Sequence, residues 1–245
     1  ISLLSVVEKL YERILEGRLR KSVEENMEEA QCGFRPGRST QELIFTLRQL
    51  SEKTIESAKP MYICFIDLAK AFDRVPREKL WQILEESRVY KGLIAAIKSL
   101  YKTSRNYVRT HNSGSAEFVT TIGVRQGGSL SPLLFIILMD RIIKECKGYT
   151  KKAFWGWEKM EHISITELAF ADDVVLLAKN EKDLQHNLNV WERILKKYNM
   201  SINGAKTKTI VIAKEQETVN ITLEQERIEQ VASFKYLGTI IEEDG

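Results

Sequence analysis

Acidic side chains stand in this sequence where burial should forbid them. Asp67 closes a continuous apolar run from Met61 to Ile66, and Asp172-Asp173 separates two more, Leu168–Ala171 and Val174–Ala178. An unpaired buried carboxylate costs several kcal/mol, or shifts its pKa until it is neutral. Adjacent carboxylates at a hairpin tip also repel each other. A divalent cation removes both penalties. Oxygen donors with few histidines nearby suit hard Mg2+, and carboxylates bridging two ions about 4 Å apart suit phosphoryl transfer. Taken singly, an acid closing a strand is ordinary and Asp-Asp is a common turn. Buried strands on both flanks make the turn alone a poorer account of the pair.

Other chemistries are poorly supplied. The three histidines, His111, His162 and His186, are scattered, and Cys32, Cys64 and Cys146 form no C-x-x-C pair. A zinc site and a disulfide framework are both disfavoured, and a reducing intracellular compartment fits best. The formal net charge of +3 over 245 residues permits a nucleic-acid partner without demanding one. No apolar run approaches the roughly 20 residues of a membrane span. Ile1-Ser2-Leu3-Leu4 lacks the basic region of a signal peptide and an initiating Met. The expectation is a piece of a longer polypeptide.

The elements that must position these acids follow from periodicity. Residues 5–26 read as an amphipathic helix with Val6, Val7, Leu10, Ile14, Leu15 and Leu19 at helical spacing. A Gly/Pro loop over 31–39 leads to a second helix, with Ser39 and Glu42 in a capping-box pattern and Leu43, Ile44, Leu47 and Leu50 as its stripe. Met61–Ile66 reads as a buried central strand. Pro76 opens a helix through Leu84, and another covers about 92–102. Tyr107–Thr110 and Phe118–Ile122 flank Asn112-Ser113-Gly114, a hairpin signal. Ser131 caps and Pro132 starts an apolar helix to about Cys146. Residues 181–199 form an amphipathic helix, and Thr209–Ala213, Ile221–Leu223 and Phe234–Ile241 read as strands. The order is α+β, with a largely antiparallel sheet.

Taken in order, the motifs resemble the reverse transcriptase family. Phe65-Ile66-Asp67-Leu68-Ala69-Lys70-Ala71-Phe72-Asp73 is similar to its motif A, Arg125-Gln126-Gly127-Gly128-Ser129-Leu130-Ser131-Pro132 to motif B, and Phe170-Ala171-Asp172-Asp173 to motif C. Asn203-Gly204-Ala205-Lys206-Thr207-Lys208 resembles motif D and Phe234-Lys235-Tyr236-Leu237-Gly238 motif E. Gln31-Cys32-Gly33-Phe34-Arg35-Pro36-Gly37-Arg38-Ser39 resembles a fingers motif shared by non-LTR retrotransposon and group II intron enzymes. Ile1-Ser2-Leu3-Leu4 and Phe-Ala-Asp-Asp resemble the non-LTR type, and within it the RTE-like clade.

The resemblance implies a right-hand polymerase: fingers over 1–59 and 88–124, palm over 60–87 and 125–245, and an RNA-directed DNA polymerase activity. It implies that Asp67, Asp172, Asp173 and the Leu68 carbonyl hold two Mg2+ ions, with Mn2+ as a substitute. Phe72 becomes a steric gate against a ribose 2′-hydroxyl; packing in the core is the plainer reading of an aromatic there. Gln126 and Gly127 lie beside the incoming nucleotide, and Arg35 or Arg38 contacts its triphosphate, with Arg35 favoured. Lys206, or else Lys208, protonates pyrophosphate as general acid. Tyr236, Leu237 and Gly238 grip the primer. The implied partners are an RNA template, a DNA primer and dNTPs, with no membrane; a thumb and an endonuclease are expected outside this chain. A eukaryotic element would place the protein in nucleus and cytoplasm. Two rival readings stand beside this one: a non-catalytic or domesticated remnant that binds nucleic acid or protein, and a group II intron maturase.

Overall fold

The computed structural model describes residues 4–102, 105–107, 115–156 and 163–244. In chain order the elements begin with α1 (Val6–Val23), α2 (Thr40–Ser57), β1 (Met61–Ile66), α3 (Arg77–Glu86) and α4 (Lys91–Lys102). Strands β2 (Arg105–Asn106) and β3 (Phe118–Val119), helix α5 (Ser131–Lys147), and strands β4 (Phe154–Trp155) and β5 (Ile163–Ser164) follow. Next come β6 (Glu167–Phe170), β7 (Asp173–Ala178), α6 (Glu181–Lys197) and β8 (Lys208–Ile212). The chain closes with β9 (Thr222–Leu223), β10 (Glu226–Arg227), β11 (Glu229–Gln230), β12 (Ser233–Tyr236) and β13 (Thr239–Glu242).

The described chain divides into two compact units, one of Ile1–Met27 with Lys70–Leu138 and one of Glu28–Ala69 with Met139–Gly245. These bounds differ from the fingers and palm ranges that the resemblance implies. By compactness α2 belongs with the central sheet, and 70–87 belongs with α3 and α4.

The second unit is built on a five-stranded sheet in the order β11-β8-β1-β7-β6. Every residue of β1 is buried, as its unbroken apolar run requires of a strand with a neighbour on each side. All pairings are antiparallel except β11 with β8. Met61, Ile63 and Phe65 share one core cluster with Leu43, Leu47 and Leu50 of α2. The alternate residues Tyr62, Cys64 and Ile66 point to the opposite face. Helix α6, which contributes nothing to that cluster, packs on β1 and β7. The predicted capping box starts α2: the Ser39 amide donates to the Glu42 carboxylate at 3.0 Å.

In the first unit α4 packs on α1 and α3. Arg77 of α3 is buried, and its guanidinium donates to the Gly123 carbonyl at 2.7 Å and the Ile122 carbonyl at 3.1 Å. Those bonds pin the segment leading into residues 125–132.

Three readings need correction. The apolar stripe of α1 is covered only at its C-terminal half: Leu15 and Leu19 are buried, while Val6 and Val7 are 83% and 78% exposed. Periodicity marks an apolar face but does not supply the element that covers it. Phe234–Ile241 is not one strand. It folds back as the β12–β13 hairpin with Tyr236 paired to Thr239, because Leu237 and Gly238 take φ of 47° and 91°, a two-residue turn of the kind that joins twisted strands. In the earlier hairpin the turn is Ala171-Asp172, since Phe170 pairs with Asp173, so Asp173 opens β7. The expected turn at 112–114 lies outside the described residues; the short strands Arg105–Asn106 and Phe118–Val119 do pair.

Candidate active site

Asp67 leaves the C-terminal end of β1, the middle strand of the sheet. Its amide is donated to the Thr207 hydroxyl at 3.3 Å, and its carbonyl accepts from the Asn203 amide at 2.8 Å. The buried Leu68 bridges Ile202, and the Ala69 amide donates to the Ser201 carbonyl at 2.9 Å. The motif-A tail is thus tied by backbone to the segment that leads into Lys206.

The register between β1 and β7 determines the rest. Ile66 pairs with Val174, so the next step sets Asp67 opposite Asp173. Like charges directly opposed on an antiparallel pair are destabilising. Here a third carboxylate, Asp172, adds to them. Desolvation first, then the charges of Asp172 and Asp67, push the Asp173 carboxyl up to about 6. Desolvation and Asp67 raise Asp172 as well, against a backbone hydrogen bond that lowers it. Asp173 keeps exposed surface, and the charges of Asp172 and Asp67 push its carboxyl in the same direction as burial does.

A cleft of about 400 Å³ opens on these groups, lined by Asp67, Asp173, Lys206, Lys208, Phe65 and Tyr236 among others. The Lys206 ammonium stands 3.7 Å from an Asp67 oxygen, on an otherwise exposed side chain. Lys208 is held differently, pairing with Glu229 at 2.8 Å and donating to the Ala205 carbonyl at 2.5 Å. Tyr236 is buried, its ring 5.4 Å from that of Phe65, and its hydroxyl has no hydrogen-bond partner among the described residues. Leu237 and Gly238 form the turn that follows it.

The arginines of the Gly/Pro loop are engaged within the protein. Arg35 donates to the Glu28 and Gln31 carbonyls, both at 3.0 Å. Arg38 pairs with Glu42 at 3.1 Å and with Glu29.

Phe72, Gln126 and Gly127 lie in the other unit. Phe72 is half-buried, its ring stacked on Phe135 of α5 at 4.6 Å. The Phe72 carbonyl accepts from the Val124 amide at 2.9 Å. The exposed Gln126 amide donates to Asp73 at 3.0 Å, and Gly127 takes a φ of 91°. Side chain and backbone thus join the end of motif A to the start of motif B. Sequence reasoning missed Glu12, a fully buried carboxylate of α1 that accepts from the Leu130 amide at 3.5 Å. Burial raises its pKa, and its second oxygen has no partner among the described residues. Nothing in the sequence marks it, since a polar residue in an amphipathic helix reads as solvent-facing.

The chemistry of the donor set, all carboxylate oxygen, fits a hard divalent cation: Asp67, Asp172 and Asp173 act on one another electrostatically, and two of them are shifted upward. The geometry is not a closed cage. Among the described residues no three His, Cys, Asp or Glu side chains already surround one point.

Comparison with known proteins follows the same line. The profile of the family described as reverse transcriptase (RNA-dependent DNA polymerase) matches residues 1–241. The Pol polyprotein of the type-2 retrotransposable element R2DM of Drosophila melanogaster is 26% identical over 97% of this chain and 23% of its own length. The probable RNA-directed DNA polymerase of transposon BS from the same species is 29% identical over 99% of this chain and 27% of its own. The RNA-directed DNA polymerase from mobile element jockey of Drosophila funebris is 26% identical over 98% and 26%. The chain therefore spans about a quarter of these relatives, which are of the non-LTR retrotransposon type. Among solved structures, apo telomerase of Candida tropicalis superposes with a TM-score of 0.64 at 17% identity, covering 96% of this chain and 39% of that one. At that identity the likeness shows the fold.

Proposed function

Because the chain belongs to the reverse transcriptase family, whose profile covers residues 1–241, we propose that it is the RNA-templated DNA polymerase core of a non-LTR retrotransposon protein. The observation that carries the reading is the placement of Asp67 opposite Asp173 at the end of a buried strand pair, with Asp172 beside them. No stability argument accounts for three mutually repelling carboxylates there, whereas phosphoryl transfer to a primer 3′-hydroxyl does. Asp67, Asp172, Asp173 and the Leu68 carbonyl would hold two Mg2+ ions, which when bound supply Lewis acidity to the attacking and leaving oxygens.

The protein's own groups have separate tasks. Lys206, aimed at the Asp67 carboxylate, is placed to give a proton to departing pyrophosphate. Lys208 is the poorer candidate because its ammonium is already committed to Glu229 and Ala205. Gln126 and Gly127 form the nucleotide-facing loop, Phe72 excludes a 2′-hydroxyl, and the Tyr236-Leu237-Gly238 turn grips the primer. Either Arg35 or Arg38 could reach the triphosphate only by leaving the partners it now holds.

Primer extension on an RNA template with Mg2+ and dNTPs tests the reading, run on this chain and on a longer polypeptide continuing past residue 245. Template-directed DNA synthesis is the expected result. A folded longer polypeptide that binds primer–template without extending it would overturn the assignment and favour a non-catalytic remnant.

A further inference from the structure

We propose that Gln31 is a positioning residue for the catalytic hairpin: its buried amide grips the backbone of Ala171, the residue before Asp172, and so sets where the acids point. The proposal rests on the reading of Asp67, Asp172 and Asp173 as cation ligands.

The argument begins with the turn itself. Ala171 takes a φ of 57°, a left-handed conformation that residues with a Cβ hold only where their surroundings enforce it. The turn carries two adjacent carboxylates that repel each other and the opposed Asp67. Left to itself, such a turn would splay. A device that holds it before any cation arrives should therefore be visible, and it should act on the backbone.

Segment 30–33 supplies that device. It lies along β6 as a short extra partner: the Ala169 amide donates to the Ala30 carbonyl at 2.8 Å, and the Cys32 amide donates to the Ala169 carbonyl at 2.8 Å. Gln31, fully buried, bridges Ala169 in parallel. Its side chain then reaches forward. The Ala171 amide donates to Gln31 Oε1 at 2.9 Å, and Gln31 Nε2 donates to the Ala171 carbonyl at 3.4 Å. The same oxygen accepts from the Gly33 amide at 2.8 Å, which fixes the Gln31 rotamer from the other side. Both backbone groups of the strained residue are thus satisfied by one side chain. Glutamine is the residue type that presents a donor and an acceptor together at that reach.

Gly33 completes the fit. A Cβ there would lie 2.3 Å from the Ala171 nitrogen, so the loop approaches the turn as closely as backbone can. A buried glutamine that merely satisfied its own polar atoms would not need to select the one residue whose φ orients Asp172. Groups that orient metal ligands are functional partners of those ligands.

The test is Mn2+ binding, read by the free-ion electron paramagnetic resonance signal as the cation is titrated into the 245-residue chain with RNA template and annealed DNA primer. Three proteins are compared: unaltered, Asp172→Asn and Gln31→Met, the last keeping length and volume while removing all three side-chain hydrogen bonds, two to Ala171 and one from Gly33. Loss of binding in Asp172→Asn relative to the unaltered chain is expected from the ligand assignment; no difference between them sinks that assignment and this proposal with it. Gln31→Met should weaken Mn2+ about tenfold, the low end for groups that orient metal ligands. Unchanged affinity in a folded Gln31→Met chain, with Asp172→Asn impaired, overturns the clamp alone. A second measurement needs no variant. The Ala171 amide in the unaltered, metal-free chain should exchange with deuterium as slowly as the Val174 amide in β7. Exchange at the rate of an open turn would equally overturn the clamp.

Discussion

The Lys206 ammonium lies 3.7 Å from an Asp67 carboxylate oxygen, whereas Lys208 pairs with Glu229 at 2.8 Å. The two lysines belong to the same short motif, and the proposed proton donor is the one beside Asp67. Lys206→Ala is expected to slow the nucleotide-addition step by about 10²–10³-fold, within the range for loss of a general acid. Lys208→Ala should leave that step nearly unchanged and cost less than about 1 kcal/mol of stability, as partly exposed ion pairs do. Rapid-quench measurement of single-nucleotide addition separates them; equal slowing by both variants would remove the assignment.

Asp172→Ala tests the acids themselves. The carboxylate sits in the turn ahead of β7 and is raised in pKa by burial and Asp67, so its removal relieves repulsion and should not destabilise the fold. Polymerisation should fall by several orders of magnitude, as loss of a metal-binding catalytic group requires. Affinity for primer–template, if set by phosphate contacts away from the acids, should change little at fixed salt. Paired measurements of kcat and of template binding check both halves. Retained synthesis in a folded variant sinks the role.

The reach of sequence reasoning can be judged from particular residues. Met61–Ile66 was legible as a central strand because an apolar residue at every position has no solvent face to offer. The Ser39–Glu42 box was legible because capping chemistry is local. Leu237 was not: its left-handed φ of 47° turns Phe234–Ile241 into a hairpin, and leucine gives no sign of it. The triphosphate contact implied for Arg35 carries no sign of what else the side chain holds. The Gly/Pro loop is folded around the Arg35 guanidinium, which satisfies the Glu28 and Gln31 carbonyls. The contacts of Glu12 and of Gln31, the latter quoted only as the start of a motif, were hidden for a shared reason: each side chain acts on a backbone amide far away in sequence, and spacing carries no record of such contacts. Register was the other hidden quantity. The motifs identified Asp67 and Asp173, but only the pairing of Ile66 with Val174 puts them face to face.

Glu167, at the start of β6, makes stability depend on pH. It is 4% exposed, and its Oε2 has no hydrogen-bond partner among the described residues. Burial pushes its carboxyl up to about 7, with Lys147 opposing and Glu28 adding to the shift. The folded state therefore holds this proton more tightly than the unfolded chain, whose carboxyl titrates near 4.5. The contribution is fully present below about pH 4.5 and is lost as pH rises through 7. Its upper bound is about 3–4 kcal/mol, at roughly 1.4 kcal/mol per pKa unit. Glu167→Gln should be more stable than the unaltered chain at pH 8 and close to it at pH 4.5. Urea denaturation at the two pH values checks this; a constant difference between the two proteins across that window would refute it.

Phe72 can be tested against its plainer role. The ring stacks on the fully buried Phe135 at 4.6 Å and 14°, which is packing, yet Phe72 itself stays half-exposed. Its carbonyl is also bonded to Val124, so the backbone at this position is held independently of the side chain. Phe72→Val should therefore keep the local backbone and lose the ring. As packing alone, the loss should cost roughly 1–3 kcal/mol, below the full price of truncating a buried Phe to Ala, with no change in sugar preference. As a gate, the same variant should also raise kcat/KM for ribonucleotides, because contact exclusion in a close-packed site is relieved by removing the atoms that make it. Deoxynucleotide incorporation should survive in part. The ratio of dNTP to rNTP incorporation, measured beside Tm, separates the two roles: a lowered Tm with an unchanged ratio leaves Phe72 as packing only, and a ratio that falls at least tenfold identifies it as the gate.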